Sequence, residues 1–410
     1  MPKDGSATRP RLFFFLVLPS GINSGFASIT LPFVLTRAGF SVTLTASIVA
    51  LSVSANLWRF LWGPVADLTL SARRWYLLGL VGCAAMTLAV GFVPLHPDKP
   101  ALLMTAVFLS AVAATFVVLP VGGLMAHTVA EQAKGRACGW YQAGNLGGTG
   151  LGGGAGVWLA THFSKEVAAG GLALVMLGSA FTLYFVPDVR LVATERIAER
   201  LRLLGRDLLS MVRSAIPLFT IALVCSPIGA GGLSNVWSAI APDWHVSDDR
   251  VALVNGLLNG IISAIGCVIG GWVADRWGRW WSYFGSGVLL GLCAIGMAFG
   301  PRTPAAFTAG VLAYALCCGM AYAAFSAIVV LAIGRGAAAT KYATLASFGN
   351  LPVVYMTAFD GWAHDRFSTT WMLHADALTG IVTVVLALPA LALINSAART
   401  KRAALAIPAG

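Results

Sequence analysis

Charged residues are scarce in this chain, and the scarcity decides its class. Asp, Glu, Lys and Arg together make up 10% of 410 residues, hydrophobic residues make up 58%, and the mean hydropathy is +0.81. A soluble domain carries charge over roughly a quarter of its surface or more. The apolar residues here fall instead in blocks of about twenty, the length that crosses the hydrocarbon core of a bilayer. Twelve such blocks leave too little polar chain to cover a water-soluble core.

Other absences remove whole classes of function. The cysteines are scattered through apolar blocks (Cys83, Cys225, Cys267, Cys293, Cys317 and its neighbour Cys318), with Cys138 at a helix start. They show no metal-ligand spacing, so neither a zinc site nor a disulfide framework is expected. The glycine-rich run from Gly139 to Gly156 lacks the Gly-Lys-Ser/Thr ending of a phosphate-binding loop, so no ATPase is expected, and no cofactor. The histidines are dispersed, which gives a membrane enzyme no catalytic cluster. The formal net charge of +11 has no basic groove with interleaved aromatics, so its expected partners are anionic lipid headgroups rather than nucleic acid. The first apolar block outruns a cleavable signal and is expected to serve as a first span.

Bounded by Pro, Gly and charge, the blocks run from about 11 to 36, 43 to 66, 74 to 93, 101 to 127, 135 to 160 and 169 to 186, then 215 to 241, 250 to 274, 280 to 299, 304 to 334, 341 to 361 and 371 to 397. The count is six, a break, and six. It predicts an all-α membrane protein with 12 transmembrane helices as two pseudo-symmetric six-helix bundles, 1–186 and 215–410, joined by 187–214. In that joining segment Ile197, Leu201, Leu204, Leu208 and Leu209 recur at helical spacing among Arg and Glu, which predicts a helix on the membrane face, or else a plain solvated linker. With both termini inside, the inner segments hold twenty Lys and Arg and the outer ones six. Basic residues stay on the cytoplasmic side, so both termini are expected there.

One charged turn occurs twice. It reads GWVADRWGRWW from Gly271 to Trp281, and its counterpart in the first half is WGPVADLTLSARRW from Trp62 to Trp75. The glycine permits close approach of a neighbouring helix, and the acid at a helix end can accept from backbone N–H groups and pair with an arginine. Gly271, Asp275, Arg276 and Arg279 therefore form a candidate conformational latch, with Gly63 and Asp67 in the first copy. There the positive charges are displaced to Arg73 and Arg74.

The pattern Gly271, Asp275, Arg276, Gly278, Arg279 resembles the signature between the second and third helices of each half in the major facilitator superfamily. That resemblance implies two bundles rocking about a central cavity, with the fifth and eighth spans facing one another. It also implies a monomeric working unit and a small-molecule substrate, with transport driven by a gradient or facilitated without coupling. The string RFLWGPVAD, Arg59 to Asp67, resembles the branch of muropeptide permeases and acetyl-coenzyme A transporters and, less closely, siderophore-uptake permeases. This implies proton-coupled import of a bulky, partly anionic solute across a bacterial inner membrane. Drug or metabolite efflux by proton antiport is the alternative. A membrane scaffold or sensor with a transporter-like fold stands behind both.

Polar residues within spans cost desolvation unless they find a partner or a wet cavity. The substrate-binding candidates are Asn23, Arg59, Tyr141, Gln142, Asn145, Asn235, Trp237, Asn255, Asn259, Tyr322, Asn350 and Tyr355. Each could equally make a helix-to-helix hydrogen bond. Arg59 is the basic residue placed within a span; it either anchors a carboxylate or phosphate or reaches toward Asp67 and the headgroups. No acid falls at a span's middle. Asp360, Asp67, His127 and Asp376 are the coupling candidates, and protons the expected coupling ion. Trp75, Trp244, Trp280 and Trp281 read as interface anchors.

Overall fold

A computed structural model describes residues 8–187, 215–333 and 338–405, with isolated positions between 188 and 214; the side chains of 42, 43, 67, 68, 215, 216, 248, 252, 338, 339 and 394–405 are excluded. The expected linker helix over 187–214 and the side chain of Asp67 lie outside these described residues.

Among the described residues, twelve helical segments follow the expected order. They are α1 (Leu12–Arg37), α2 (Val42–Leu68), α3 (Ala72–Phe92), α4 (Ala101–Thr128), α5 (Lys134–His162) and α6 (Lys165–Phe185) in the first half. The second half has α7 (beginning Ala215–Val224), α8 (Asp249–Trp277), α9 (Arg279–Phe299), α10 (Pro304–Ile333), α11 (Ala338–Phe348 and Asn350–Arg366) and α12 (Thr369–Leu405). Nine are long and apolar enough to cross a membrane on length and composition among the described residues. The other three have physical reasons. Glycine dilutes the hydropathy of α5, and α7 and α11 are each interrupted.

In α7 the run Cys225–Gly231 contains Pro227, which has no N–H to donate, and Gly229 and Gly231, at φ +67° and +70°, where a side chain would clash. The chain then resumes in short pieces, Gly232–Asn235, Trp237–Ile240 and Ala241–Trp244. Trp244 is 1% exposed and lies beneath the Arg302 guanidinium at 4.0 Å, so it is a core residue rather than an interface anchor.

Between helices surrounded by lipid there is little hydrophobic drive, so close packing and hydrogen bonds must hold them. Glycines on α5 let α1 pack on one side and α8 on the other. A Cβ on Gly139 would stand 2.6 Å from the Cys267 carbonyl oxygen and 3.0 Å from Gly271 Cα, so the α5 and α8 backbones touch. Across the other seam, α2 meets α11, and a Cβ on Gly63 would lie 2.7 Å from Thr340 Cα. These two seams, α5 with α8 and α2 with α11, join the halves together with contacts of α10 on α5 and of α11 on α4, where a Cβ on Gly122 would lie 2.7 Å from Tyr342 Cγ.

Candidate functional site: the interface between the halves

At the end of the molecule that carries the charged turns, the seam is tied by charge. Lys134, Gly135 and Arg136 open α5, and the first N–H groups of a helix have no partner within it. Asp275, near the end of α8, supplies one: Gly135 N donates to Oδ1 at 2.7 Å, and Arg136 donates to Oδ2 through its backbone N at 3.0 Å and its Nε at 2.9 Å. Arg279 donates to the Glu131 side chain at 2.6 Å and to its carbonyl at 3.1 Å, and Lys134 pairs with Glu131 at 2.8 Å. Lys134 and then Arg279 hold the Glu131 carboxyl below the usual glutamate range. Gly278, at φ +99°, turns the chain between Asp275 and Arg279.

The acid's arginine partner is thus Arg136 of the opposite half, which the sequence reading did not single out. Arg276 is exposed and lies over the Trp272 ring at 6.0 Å. In the first copy, the displaced Arg73 donates to the Leu183 carbonyl at the end of α6, within its own half.

Further along the seam the halves meet through neutral groups. Gln142 Nε2 donates to Ser326 Oγ at 2.6 Å, and the Tyr141 and Tyr342 rings meet edge to face with centroids 5.8 Å apart. Ser347 donates to the Asn56 carbonyl at 3.0 Å. Asn145 donates to Gln142 at 3.3 Å. Arg59 is 8% exposed, close enough to act electrostatically on Tyr141, and its buried Nε has no hydrogen-bond partner. Of the predicted set, Arg59, Tyr141, Gln142 and Asn145 therefore lie together at the seam. Ser326 and Tyr342 join them; Tyr342 sits near the start of its span, where the apolar pattern gave no sign of an inward face.

Other candidates are placed apart. Asn23 is buried within the first half, donating to Thr87 Oγ1 at 2.9 Å and Ser110 Oγ at 2.7 Å; this is helix-to-helix bonding rather than a cavity contact. Trp237 is 1% exposed, its ring edge-on to Tyr314 in the core of the second half, so it does not face a cavity. Asn235 donates to Thr357 Oγ1, Asn255 to Ser238 Oγ and Asn350 to the Ala346 carbonyl, while Asn259 accepts from Ser263. Tyr355 donates to the Cys225 carbonyl in the break of α7, and Tyr322 lines a cavity beside that break.

Among the coupling candidates, His127 is exposed and bonded to the Gly123 carbonyl of its own helix. Asp360 is fully buried, and neither carboxyl oxygen has a hydrogen-bond partner. Its Oδ2 would lie 3.0 Å from a Cβ on Gly232, so it faces the resumed part of α7. Asp376 of α12 is close enough to interact with it.

The sequence model of the major facilitator superfamily matches residues 13–225, just over half of the chain. Comparison with curated proteins gives no match. Among solved structures, the human organic anion transporter MFSD10 superposes with a TM-score of 0.70 at 16% identity, over 92% of this chain and 98% of that one. The proton:xylose symporter XylE gives 0.64 at 12% identity over 91% and 94%. The E. coli fucose:proton symporter FucP gives 0.68 at 13% identity over 92% and 97%. Such identities speak for the fold alone. Taken with the family match, the repeated turn and the two seams between the halves, they show that the chain belongs to the major facilitator superfamily and is a multi-pass membrane protein of secondary transport.

Proposed function

We propose that this transporter imports a bulky, partly anionic solute by alternating access, driven by an inward proton gradient, with Arg59 as the anchor for the anionic group. The observation that carries the reading is the burial of Arg59 at the seam with Nε unpartnered. A cation inside a membrane protein is costly and marks a ligand or ion path by default, and a guanidinium presents a fork that suits carboxylate or phosphate.

If the basic-residue asymmetry sets the orientation, the charged turns are cytoplasmic, and the bonds between Asp275, Arg136, Glu131 and Arg279 close that side. Solute would then enter from outside, and release would require those bonds to break. Asp360 is the group best suited to carry the coupling proton, because a bare charge on a buried carboxyl without donors is uncompensated. The likeness of RFLWGPVAD to muropeptide permeases supports import of peptidoglycan fragments, with ferric siderophores second.

The test is uptake of labelled anhydro-muropeptide and of a ferric siderophore into proteoliposomes, with and without an inward proton gradient. Gradient-stimulated uptake of either, lost in Arg59→Ala, is expected. Absence of uptake under every gradient removes both solutes and shifts the reading to efflux.

A further inference from the structure

Among the described residues, the second half encloses two neighbouring acids that no cation meets. Asp360 of α11 is fully buried, beside buried Met356 and Ala363, and neither carboxyl oxygen accepts a hydrogen bond. Asp376 of α12 is close enough to interact with it electrostatically, and it too has no hydrogen bond or ion pair among the described residues. Leu373 and Met372, three and four residues before Asp376, are buried, whereas Trp371, Leu378 and Val382 are exposed. Residues three and four apart share a helix face, so Asp376 lies on the inward face of α12.

The elements packed around the pair bring no opposite charge to it. From α10, Tyr314 lies near both carboxyls and Cys318 near Asp376. α9 meets α12 through Gly287 and Gly291, against Val384 and Ile381. α7 presents backbone: a Cβ on Gly232 would stand 2.9 Å from Met356 Cβ and 3.0 Å from Asp360 Oδ2. The basic side chains nearest along the chain are engaged elsewhere. Arg302 donates to Thr370 Oγ1 at 2.7 Å and lies over the Trp244 ring, His374 bonds to the Thr370 carbonyl at 2.7 Å, and His364 pairs with Asp365 at 3.2 Å. A carboxylate buried without donors is uncompensated, and a second one beside it repels the first. A proton is the smallest charge that relieves both.

We infer that Asp360 and Asp376 form a two-carboxyl proton site inside the second half, in which Asp360 stores the proton and Asp376 passes it to and from water. The division of roles follows burial, since Asp360 has no exposed surface and Asp376 keeps part of its own on an inward face. The step moves one proton from a carboxylic acid to a carboxylate, and no other bond changes. Asp360 is shut in by the α7 turn Gly232–Asn235, which is pinned to α11 one helical turn away: Asn235 donates to Thr357 Oγ1 at 2.9 Å, and Thr357 donates to the Gly232 carbonyl at 3.3 Å. Movement of that turn bares the stored proton, which ties its release to the position of α7. The inference rests on the proton-coupled reading and deepens it by giving Asp360 a partner and a lid.

The test is infrared spectroscopy of the purified full-length protein in detergent at neutral pH, reading the carbonyl stretch of protonated carboxyls. A protonated-carboxyl band is expected in the native protein and should be lost in Asp360→Asn. On transfer to heavy water the band shifts as the acid exchanges its proton. Asp376→Asn should slow that shift by about a hundredfold, the low end for a positioned proton-transfer group, and Asp376→Glu should restore it. Thermal melting establishes that each variant is folded, and Asp360→Ser replaces Asp360→Asn if that variant is not. Absence of the band from the native protein overturns the inference, as does its survival without Asp360 or an exchange rate indifferent to Asp376→Asn. Loss of the band on adding sodium chloride, but not choline chloride, at constant pH also overturns it, in favour of a metal cation at the two carboxyls. Flux is read separately: gradient-driven uptake without the band removes the site and keeps the transporter, whereas the band and its Asp376-dependent exchange without gradient-driven uptake keep the site and remove proton-driven import.

Discussion

Asp275→Asn tests whether the charged seam holds the molecule closed. In the native chain the carboxylate, 10% exposed, accepts two backbone N–H groups and one guanidinium N–H across the halves. Hydrogen bonds to a charged group contribute about 1.5–3 kcal/mol each. The Arg136 side chain is half exposed, so its share is discounted to about 0–1 kcal/mol. Asparagine keeps one acceptor and points an N–H₂ at donors that need an acceptor. The net loss in the closed state is then about 2–3 kcal/mol, or about 30- to 140-fold in the opening equilibrium at 1.4 kcal/mol per tenfold. Hydrogen exchange at the Gly135 and Arg136 amides reads this directly, because those N–H groups exchange only when Asp275 lets go. Their exchange should accelerate by that factor in Asp275→Asn, by at most about fivefold in Arg136→Ala, and not at all in the middle of α10. If the Gly135 and Arg136 amides exchange at the native rate in Asp275→Asn, the closure is held by packing and the reasoning is refuted.

Glu131 gives a pH signature. Its carboxyl is depressed by Lys134 and Arg279, so its stabilising contribution is present above the ordinary glutamate pKa of about 4.3 and lost as pH falls through the lowered value. The melting temperature of the native protein should exceed that of Glu131→Gln by a constant margin from pH 5 to 7, and the two should converge in stronger acid; a margin that widens in acid contradicts the assignment. Asn23→Leu removes two buried hydrogen bonds and leaves Thr87 and Ser110 without their donor, which should cost about 1–3 kcal/mol in a denaturation midpoint. Solute affinity should not change, and a loss of affinity with stability intact would return Asn23 to the binding site.

The twelve-span order was legible in the sequence because lipid demands apolar blocks of a fixed length, and Pro, Gly and charge punctuate them. The three weaker spans show the limit of that signal. Glycine in α5 serves backbone contact with α1 and α8 rather than lipid solvation, so hydropathy underrates it. In α7 and α11 the apolar count is right, but Pro227, Gly229 and Gly231 break α7, and Pro352, which has no N–H to give the Phe348 carbonyl, interrupts α11 at Gly349; local composition does not say that the two interruptions border one small cavity. At the site, residue type identified Arg59, Tyr141 and Gln142 as unusual within a span. It could not tell their environment from that of Asn23, since a buried amide satisfied by Thr87 and one facing the seam look alike in sequence. Tyr342 and Ser326 were missed because hydroxyl-bearing side chains are unremarkable in membrane helices.

The two copies of the charged turn do different work, and the displaced charges of the first explain how. In the second copy, Asp275 reaches across to the start of α5 and Arg279 to Glu131 in the turn before it, so these bonds tie one half to the other. In the first copy, Arg73 reaches the Leu183 carbonyl near the end of α6 and ties α3 to its own half. The α2–α11 seam is then held by the close approach of Gly63 to Thr340 and by the bond from Ser347 to Asn56, neither of which carries charge across it. One seam is a latch of ion pairs, sensitive to charge and screened where it is exposed; the other is a packed contact, sensitive to volume. Arg59 lies on the packed seam, between Asn56 and Gly63 in α2, with its Nε unmet. With Arg59 as the proposed anchor, an anion bound there would add charge compensation beside Arg59 at this seam and could shift the balance between the two closures.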